Sequence, residues 1–327
     1  MLSPIVIFAW RRPKLFLQTI DSLSRCYLFK ESDVFVFIDG PRYDKDDILI
    51  EETYKIAQKI KTRKLEIIRR DSNFGLKNNI KMGVGEVISK YGRAIVVEED
   101  LIFTRDFLIF MNRALEYYSD IQNVFSVTGY CPQINIPQDY KYSVFFFFRV
   151  SSWGWGTWER VWKGFENFEL SWNHFENVVN DPVEFHRFCA GGYDLKDIAL
   201  NALNKSWAIE FQYYHYLSSS LCVYPIKTRL KHIGFREGEN TGFQRIKFSD
   251  FPFDPEFSEH NYSFPSKIFV DWRIFCDFHR HINDVVRPPS LYEKILFYLN
   301  ELKVRPDWVF RKLKNKVLLK DKNNAKK

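Results

Sequence analysis

The stretch Ala94-Ile-Val-Val-Glu-Glu-Asp-Leu-Ile102 decides the fold class, because an apolar run of strand length ends in three consecutive carboxylates. Such a run is typical of a strand buried on both faces, as in the parallel sheets of α/β proteins. Open α/β sheets bind ligands beyond the carboxyl ends of these strands. Neighbouring carboxylates repel one another, and their hard oxygens suit Mg²⁺ or Mn²⁺. The stretch predicts a sheet edge that holds a divalent metal; the simpler interpretation is a strand followed by a polar loop.

Strand-like and helix-like segments alternate up to about residue 120, which favours a right-handed, mostly parallel α/β sheet flanked by helices. Strands are predicted at 4–9, 34–38, 65–68 and 94–97, with further strands at 124–129 and 142–150. Apolar spacing predicts helices at 13–23, 46–61, 76–90, 107–118, 172–179, 182–189 and 195–216. A C-terminal helix is expected to begin at Ser290, which forms a capping box with Glu293.

Composition indicates a packed globular protein. Hydrophobic residues make up 46% and aromatic residues 18% of the 327 residues. The cysteines are scattered singly without a CxxC pair, which disfavours that type of zinc site and fits a reducing compartment. Much of the net charge of +7 lies in residues 311–327, so no nucleic-acid partner is expected. Neither a signal peptide nor a transmembrane helix is expected from the apolar runs.

The turns that follow the predicted strands carry the candidate nucleotide-binding residues. In a doubly wound sheet they converge on one edge. Asp39 could accept hydrogen bonds from a base or a ribose, and Asn73 and Gly75 would let the backbone approach a nucleotide. The chain has no GxGxxG after its first strand and no GxxxxGK[ST], which disfavours a dinucleotide site and a P-loop.

Six motifs in a fixed order resemble GT-A-fold glycosyltransferases, and are most similar to bacterial sugar transferases related to the N-acetylglucosaminyltransferase I group. They are FAWRRP (8–13), FIDGP (37–41), NFGLKNNI (73–80), IVVEEDL (95–101), SVTGY (126–130) and WGWGTWERVW (153–162). Each motif alone is weak, whereas their order over roughly residues 3–240 is fairly specific.

The resemblance implies a nucleotide-sugar donor, expected to be a UDP-sugar, and a Mn²⁺ or Mg²⁺ cofactor. It assigns the metal contact to Asp100 and places Glu99 nearest the ribose or donor sugar. The further residues that it implies for donor binding are Ala9, Trp10, Arg11, Asp39, Asn73, Gly75, Lys77 and Glu98. Related enzymes invert the anomeric centre, with a carboxylate that deprotonates the acceptor hydroxyl.

The chain departs from the family pattern at the catalytic base. The family usually carries this carboxylate at or before an SW pair, where this chain has Lys205. Glu210 is the favoured candidate and Asp197 the second. The family also ends its site with a histidine that this chain lacks; His232 stands earlier in the motif, which leaves a histidine ligand in doubt.

Trp153 and Trp155 lie in a segment rich in glycine, where an indole face could stack on a sugar ring as a donor or acceptor platform. The alternative is that both pack in the core, as most aromatic side chains do. At the C-terminal end, apolar stripes interleaved with Lys and Arg suit either a helix on an anionic membrane surface or a packed terminal helix with a basic tail.

We therefore expect a catalytic domain over residues 1–240 and an extension over 241–327 with an amphipathic basic helix. The expected function is metal-dependent, inverting sugar transfer to a glycan or lipid-linked glycan in surface polysaccharide or lipopolysaccharide synthesis. The expected location is cytoplasmic, with peripheral attachment to the inner face of the membrane left open. The alternatives are a nucleotidyltransferase and a non-catalytic membrane-associated partner on a degenerate GT-A fold.

Overall fold

The structure is a computed structural model, and it describes residues 1–234 and 251–286. The domain boundary predicted at residue 240, the helix predicted at Ser290 and the basic amphipathic segment all lie outside these residues. No helix among the described residues is long and apolar enough to cross a membrane.

The strands predicted from the sequence are confirmed, and the described residues form four further strands. The strands are β1 (Ile5–Ala9), β2 (Asp33–Ile38), β3 (Lys64–Arg69), β4 (Arg93–Glu98), β5 (Leu101–Phe103), β6 (Val124–Thr128), β7 (Val144–Phe147), β8 (Trp155–Trp158), β9 (Leu221–Pro225) and β10 (Leu230–His232). Every residue of β1 and β2 is buried, as are Ala94 to Val97 of β4, which confirms burial on both faces.

The main sheet is mixed, in the order β3-β2-β1-β4-β8-β6-β9-β7, and β5 pairs with β10 in a separate ribbon. The pairs β2–β3, β1–β2, β1–β4 and β6–β9 are parallel. The pairs β4–β8, β6–β8 and β7–β9 are antiparallel. Because β8 is antiparallel to both of its neighbours, β6 and β9 run in the same direction as β1 to β4. The carboxyl ends of these six strands therefore share one edge, which we call the carboxyl edge.

Helices cover the sheet. They are α1 (Pro13–Leu23), α2 (Asp47–Ala57), α3 (Gly75–Tyr91), α4 (Phe107–Tyr117), α5 (Glu159–Phe165), α6 (Trp172–Asn180), α7 (Pro182–Phe188), α8 (Asp194–Ala202), α9 (Trp207–Leu217) and α10 (Trp272–Val286). Helix α3 packs against α5 and α9, and α1 packs against α2. Helix α10 contributes Ile274, Phe278 and Ile282 to the main core. The α/β architecture expected from the sequence is thus confirmed.

One predicted helix is wrong in its extent. The segment 195–216 is two helices, α8 and α9, with a turn between them. Leu203 leaves the helical conformation with ψ 131°, and Asn204 adopts a left-handed φ of 59°. Asn tolerates this conformation better than most residues because its short polar side chain can bond locally. Ser206 is then extended and precedes the first turn of α9.

Candidate active site

The acidic triplet lies at the carboxyl edge, where Glu98 ends β4 and Glu99 and Asp100 turn the chain into β5. The turn after β1 holds it in place. The Trp10 backbone N–H donates to Glu99 Oε2 over 2.5 Å. Arg12 Nε lies 2.5 Å from Glu99 Oε1, and Arg12 Nη1 lies 2.9 Å from Asp100 Oδ2. A guanidinium of the protein therefore compensates two of the three carboxylates.

The pKa values of Glu98 and Glu99 are raised because both side chains are desolvated and lie close to other carboxylates. Burial raises the pKa of Glu98 to about 8, and the charge of Asp100 adds to this rise. Burial also raises the pKa of Glu99, although Arg12 opposes the shift. Burial lowers the pKa of Arg12, but the carboxylates of Glu99 and Asp100 outweigh it, so the net pKa is raised. Arg12 is therefore a permanent cation in this site.

Asp100 also faces the end of β10. His232 Nε2 lies 3.4 Å from Asp100 Oδ2, and the Gly234 N–H donates to His232 Nδ1 over 3.2 Å. Because Nδ1 accepts this bond, the neutral imidazole carries its proton on Nε2, the nitrogen that faces Asp100. A Cβ at Gly234 would lie 2.4 Å from Asp100 Oδ2, so the backbone here approaches as closely as only glycine allows. The structure thus brings together Asp100 and the histidine that the sequence left in doubt.

A divalent metal fits this site only in part. The residues that the structure describes contain no cluster of three His, Cys, Asp or Glu groups arranged for a metal. Asp100 would supply one ligand oxygen, which Arg12 already contacts. His232 would supply a second ligand through Nε2 only as the other tautomer, with its proton on Nδ1 and the bond from the Gly234 N–H broken. Mg²⁺ in particular is usually bound by one or two carboxylates together with waters and substrate phosphates. Asp100 with His232 is therefore a partial ligand set that a diphosphate and water would complete.

Asp39 connects the end of β2 to the beginning of α3. Its Oδ1 accepts from the backbone N–H groups of Gly40 and Phe74, and its Oδ2 accepts from Asn73 Nδ2 and the Gly75 N–H. The bonds from Phe74 and Gly75 satisfy backbone amides at the start of α3, as a capping carboxylate does. The predicted contact of Asp39 with a base or ribose stays a prediction, and the bonds seen here give Asp39, Asn73 and Gly75 a positioning role.

At the end of β1, two cations stack on a partly buried aromatic ring. The guanidinium carbons of Arg11 and Arg42 lie 4.2 and 4.9 Å from the ring centroid of Trp10. The Trp10 indole N–H donates to the Gly40 carbonyl over 2.9 Å, and Arg11 pairs with the buried Asp46. Ala9, the last residue of β1, is buried, and its carbonyl accepts the Asp39 N–H. Residues that the resemblance implies for donor binding therefore lie close together, and that role stays a prediction.

Glu210 lies inside the interface between α3 and α9. Its side chain is fully buried, with Oε1 2.7 Å from Lys77 Nζ and Oε2 3.3 Å from Lys81 Nζ. The Leu170 N–H also donates to Oε1. Two residues predicted for different roles, Lys77 and Glu210, are thus partners in one buried ion pair. The base role of Glu210 stays a prediction, and the described contacts of its carboxylate are internal to the protein.

The second base candidate, Asp197, is exposed on α8, and its backbone carbonyl accepts from Asn201. Its neighbour Asp194 is instead held by a bidentate pair with Arg149 at 2.8 and 2.9 Å. Neither carboxylate has a described contact with the acidic triplet.

The two candidate tryptophans are separated by the structure. Trp153 is half-buried at the carboxyl edge, with its ring 5.1 Å from His232 and 4.6 Å from Tyr130. Trp155 is fully buried in β8 and stacks on Trp207 at 4.9 Å. Trp153 therefore borders the site, whereas Trp155 lies in the core and presents no face to a ligand.

Sequence reasoning missed Arg12 as a site residue. The available signal was its position directly after the first buried strand, because parallel strands next to each other in a sheet bring such a turn close to the acidic triplet. In the structure β1 pairs with β4, which brings the turn after β1 next to the acidic triplet.

Neither a family model nor a curated protein sequence matches the chain. Among solved structures, S. aureus TarS is 12% identical with a TM-score of 0.38, over 71% of this chain and 37% of that one. S. aureus TarS 1–349 is 11% identical with a TM-score of 0.41, over 91% of this chain and 78% of that one. The apo structure of WbbM, a bifunctional glycosyltransferase, is 15% identical with a TM-score of 0.25, over 39% and 22%. The chain thus spans little more than a third of the first of these proteins, and likenesses so distant do not identify a substrate.

Proposed function

We propose that this protein is a metal-dependent, inverting glycosyltransferase that moves a sugar from a nucleotide-sugar to a glycan acceptor. The observation that carries the proposal is the acidic turn at the end of β4, where Asp100 contacts His232 and the His232 ring lies beside Trp153 at the carboxyl edge. Ligands of open α/β sheets bind at this edge. An acid and an imidazole beside an aromatic ring suit a metal-bound diphosphate next to a sugar.

In this proposal Asp100 and His232 hold Mn²⁺ or Mg²⁺, which when bound offsets the negative charge of the leaving diphosphate. The turns at Trp10 and Asp39 border the nucleotide, expected to be UDP. The acceptor hydroxyl attacks the anomeric carbon, the bond from that carbon to the diphosphate oxygen breaks, and a carboxylate takes the hydroxyl proton.

Glu210 and Asp197 stay the proposed candidates for that base. For Glu210 to act, an acceptor hydroxyl would have to displace Lys77 from Oε1, since both carboxylate oxygens contact ammonium groups. A transferase in surface polysaccharide or lipopolysaccharide synthesis would meet its lipid-linked acceptor from the cytoplasm, at the inner face of the membrane.

Thermal unfolding with UDP, GDP, CDP and dTDP, each with and without Mn²⁺, tests the proposal. A ligand at 100 times its Kd stabilises the native state by about 2.7 kcal/mol. For 327 residues this corresponds to a rise in Tm of about 4 °C. We expect such a rise with one nucleotide and Mn²⁺ together; no rise with any of them contradicts the proposal.

One observation favours a second function, that of a non-catalytic membrane-associated partner on the same fold. Arg12 already pairs with Glu99 and Asp100, and Glu210 pairs with two lysines, so every one of these carboxylates has an internal cation. Under this alternative the nucleotides give no Mn²⁺-dependent stabilisation, and substituting Asp100 leaves the glycans of the cell unchanged.

A further inference from the structure

A separate cavity of about 280 Å³ lies at the carboxyl edge, beyond the acidic triplet. Its walls are the turn after β6, the turn after β9 and the segment 251–257. The lining residues that carry the argument are Gln133, Lys227, Phe251, Phe253, Asp254 and Phe257. The volume lies just below the usual range of ligand pockets, about 300–1,000 Å³, so the cavity suits one small ring and not a whole nucleotide.

The cavity is connected to the acidic triplet through the β5–β10 ribbon. His232 pairs with Leu101 at one end of the ribbon, and Thr104 and Thr228, which follow and precede it, line the cavity at the other end. At about 3.4 Å per residue, the four residues from Asp100 to Thr104 span up to about 14 Å. The cavity therefore lies within about 14 Å of Asp100, a separation that suits a part of the acceptor next to the reacting ring.

Aromatic contacts also link the acidic triplet to the cavity through the protein, with Tyr130 buried beneath the sheet edge. Asp100 lies next to His232, the His232 ring lies 5.1 Å from Trp153, and Trp153 lies 4.6 Å from Tyr130. Cys131, the next residue, lines the cavity. Of these rings, those of Trp153 and His232 are partly exposed, so they are the ones that a sugar between the two places can contact.

The lining of the cavity has the chemistry of a saccharide site. Phe251, Phe253 and Phe257 provide apolar surface, and Gln133 and Asp254 place an amide and a carboxylate around it. Lys227 Nζ lies 5.1 Å from the Phe257 ring centroid. Within residues 1–234 and 251–286, the structure records no carboxylate paired with this ammonium group. A few polar groups around an apolar wall are what fixes the orientation of a small ligand.

We propose that this cavity is a remote acceptor subsite, which holds one sugar ring of the glycan at a distance from the ring that reacts. The assignment rests on the proposed function, since a remote subsite has meaning only for a transferase with a glycan acceptor. The aromatic wall takes the apolar face of the ring, and Lys227, Gln133 and Asp254 contact its hydroxyl or carboxyl groups. Binding energy gained here supports transfer at the other end of the acceptor, so acceptors that reach the cavity react faster than shorter ones.

Saturation-transfer NMR tests the subsite directly, with a mixture of methyl hexopyranosides that contains neutral, N-acetylated and uronic members. We expect at least one glycoside to receive saturation from the wild-type protein. Phe257→Ala should weaken its binding by about 2- to 12-fold, the effect of losing one aromatic contact. Gln133→Trp should fill the cavity and abolish the signal. Gln122→Trp is the matched control, because Gln122 is exposed before β6 at the opposite edge of the sheet.

The outcomes separate this proposal from the proposed function. The subsite is overturned if the wild type shows no saturation, or if Gln133→Trp and Gln122→Trp give equal signals. Neither result affects the nucleotide-induced rise in Tm, which tests the proposed function separately. A wild-type protein that responds to no nucleotide contradicts the transferase. A glycoside signal lost only in the cavity variants would then still establish a saccharide site, but not an acceptor subsite.

Discussion

Replacing Glu210 by Gln tests the buried ion-pair cluster, because the change keeps the side-chain volume and removes one charge. The side chain of Glu210 is 0% exposed, and those of its partners Lys77 and Lys81 are 16% and 9% exposed. The substitution leaves two ammonium groups near each other without their counter-charge. Removing one partner of a buried pair costs about 3–5 kcal/mol. For 327 residues this loss lowers Tm by about 4–7 °C.

Differential scanning calorimetry at pH 7 measures this change in Tm. Glu159→Gln is the matched control, since it breaks an exposed pair with Lys163 that is worth about 0.3–0.5 kcal/mol. Adding Lys81→Met to Glu210→Gln should recover part of the loss, because it removes one of the uncompensated charges. A fall in Tm no larger for Glu210→Gln than for the control would refute the buried cluster. Activity lost by Glu210→Gln without this loss of stability would point to the base role instead.

Three further predictions follow from the site and the core. The pKa of Glu98 is about 8 in the folded protein and 4.5 for the free side chain. Between these two pH values the folded state therefore binds more protons than the unfolded state. Wild-type stability should therefore fall as pH rises from about 4.5 to about 8, and Tm measured across this window should fall less in Glu98→Gln. Trp155→Ala should lower the free energy of unfolding in urea by about 3–5 kcal/mol, because the ring is fully buried. Trp153→Ala should lower the free energy of unfolding less, and should reduce transfer activity more. Gly40→Ala would place a Cβ 2.4 Å from the Ser72 carbonyl carbon, so it should cost about 1–3 kcal/mol, measured the same way.

The parallel half of the sheet could be predicted from the sequence because its strands are continuous apolar runs. Segments 4–9, 34–38 and 94–97 have this pattern, and the structure confirms all of them as strands. The position of the acidic triplet followed from the same pattern, since a run buried on both faces ends at the ligand-binding edge.

The antiparallel half was less predictable. β8 (Trp155–Trp158) contains glycine and tryptophan in a short segment, which gives no clear period, and only its pairing between β4 and β6 makes it a strand. The break at Asn204 was also hidden, because the flanking residues keep helical composition on both sides. Helix α10 (Trp272–Val286) was not predicted either.

Charge pairing could not be predicted because it depends on contacts between residues far apart in the chain. Lys77 and Glu210 are 133 residues apart, and nothing local indicates that each neutralises the other. Likewise His232 stands earlier in the motif than the histidine of the family pattern. The pairing of β10 with β5 is what brings it next to Asp100.

The measurement that tests the central claim most directly is the Mn²⁺-dependent rise in Tm by UDP, compared between the wild type, Asp100→Ala and Asp120→Ala. Asp120 is an exposed carboxylate after α4 and serves as the control. The account predicts a rise of about 4 °C at 100 times the Kd in the wild type and in Asp120→Ala, and none in Asp100→Ala. An equal rise in all three proteins would show that the nucleotide and metal bind elsewhere, and would contradict the assignment of the acidic turn as the donor site.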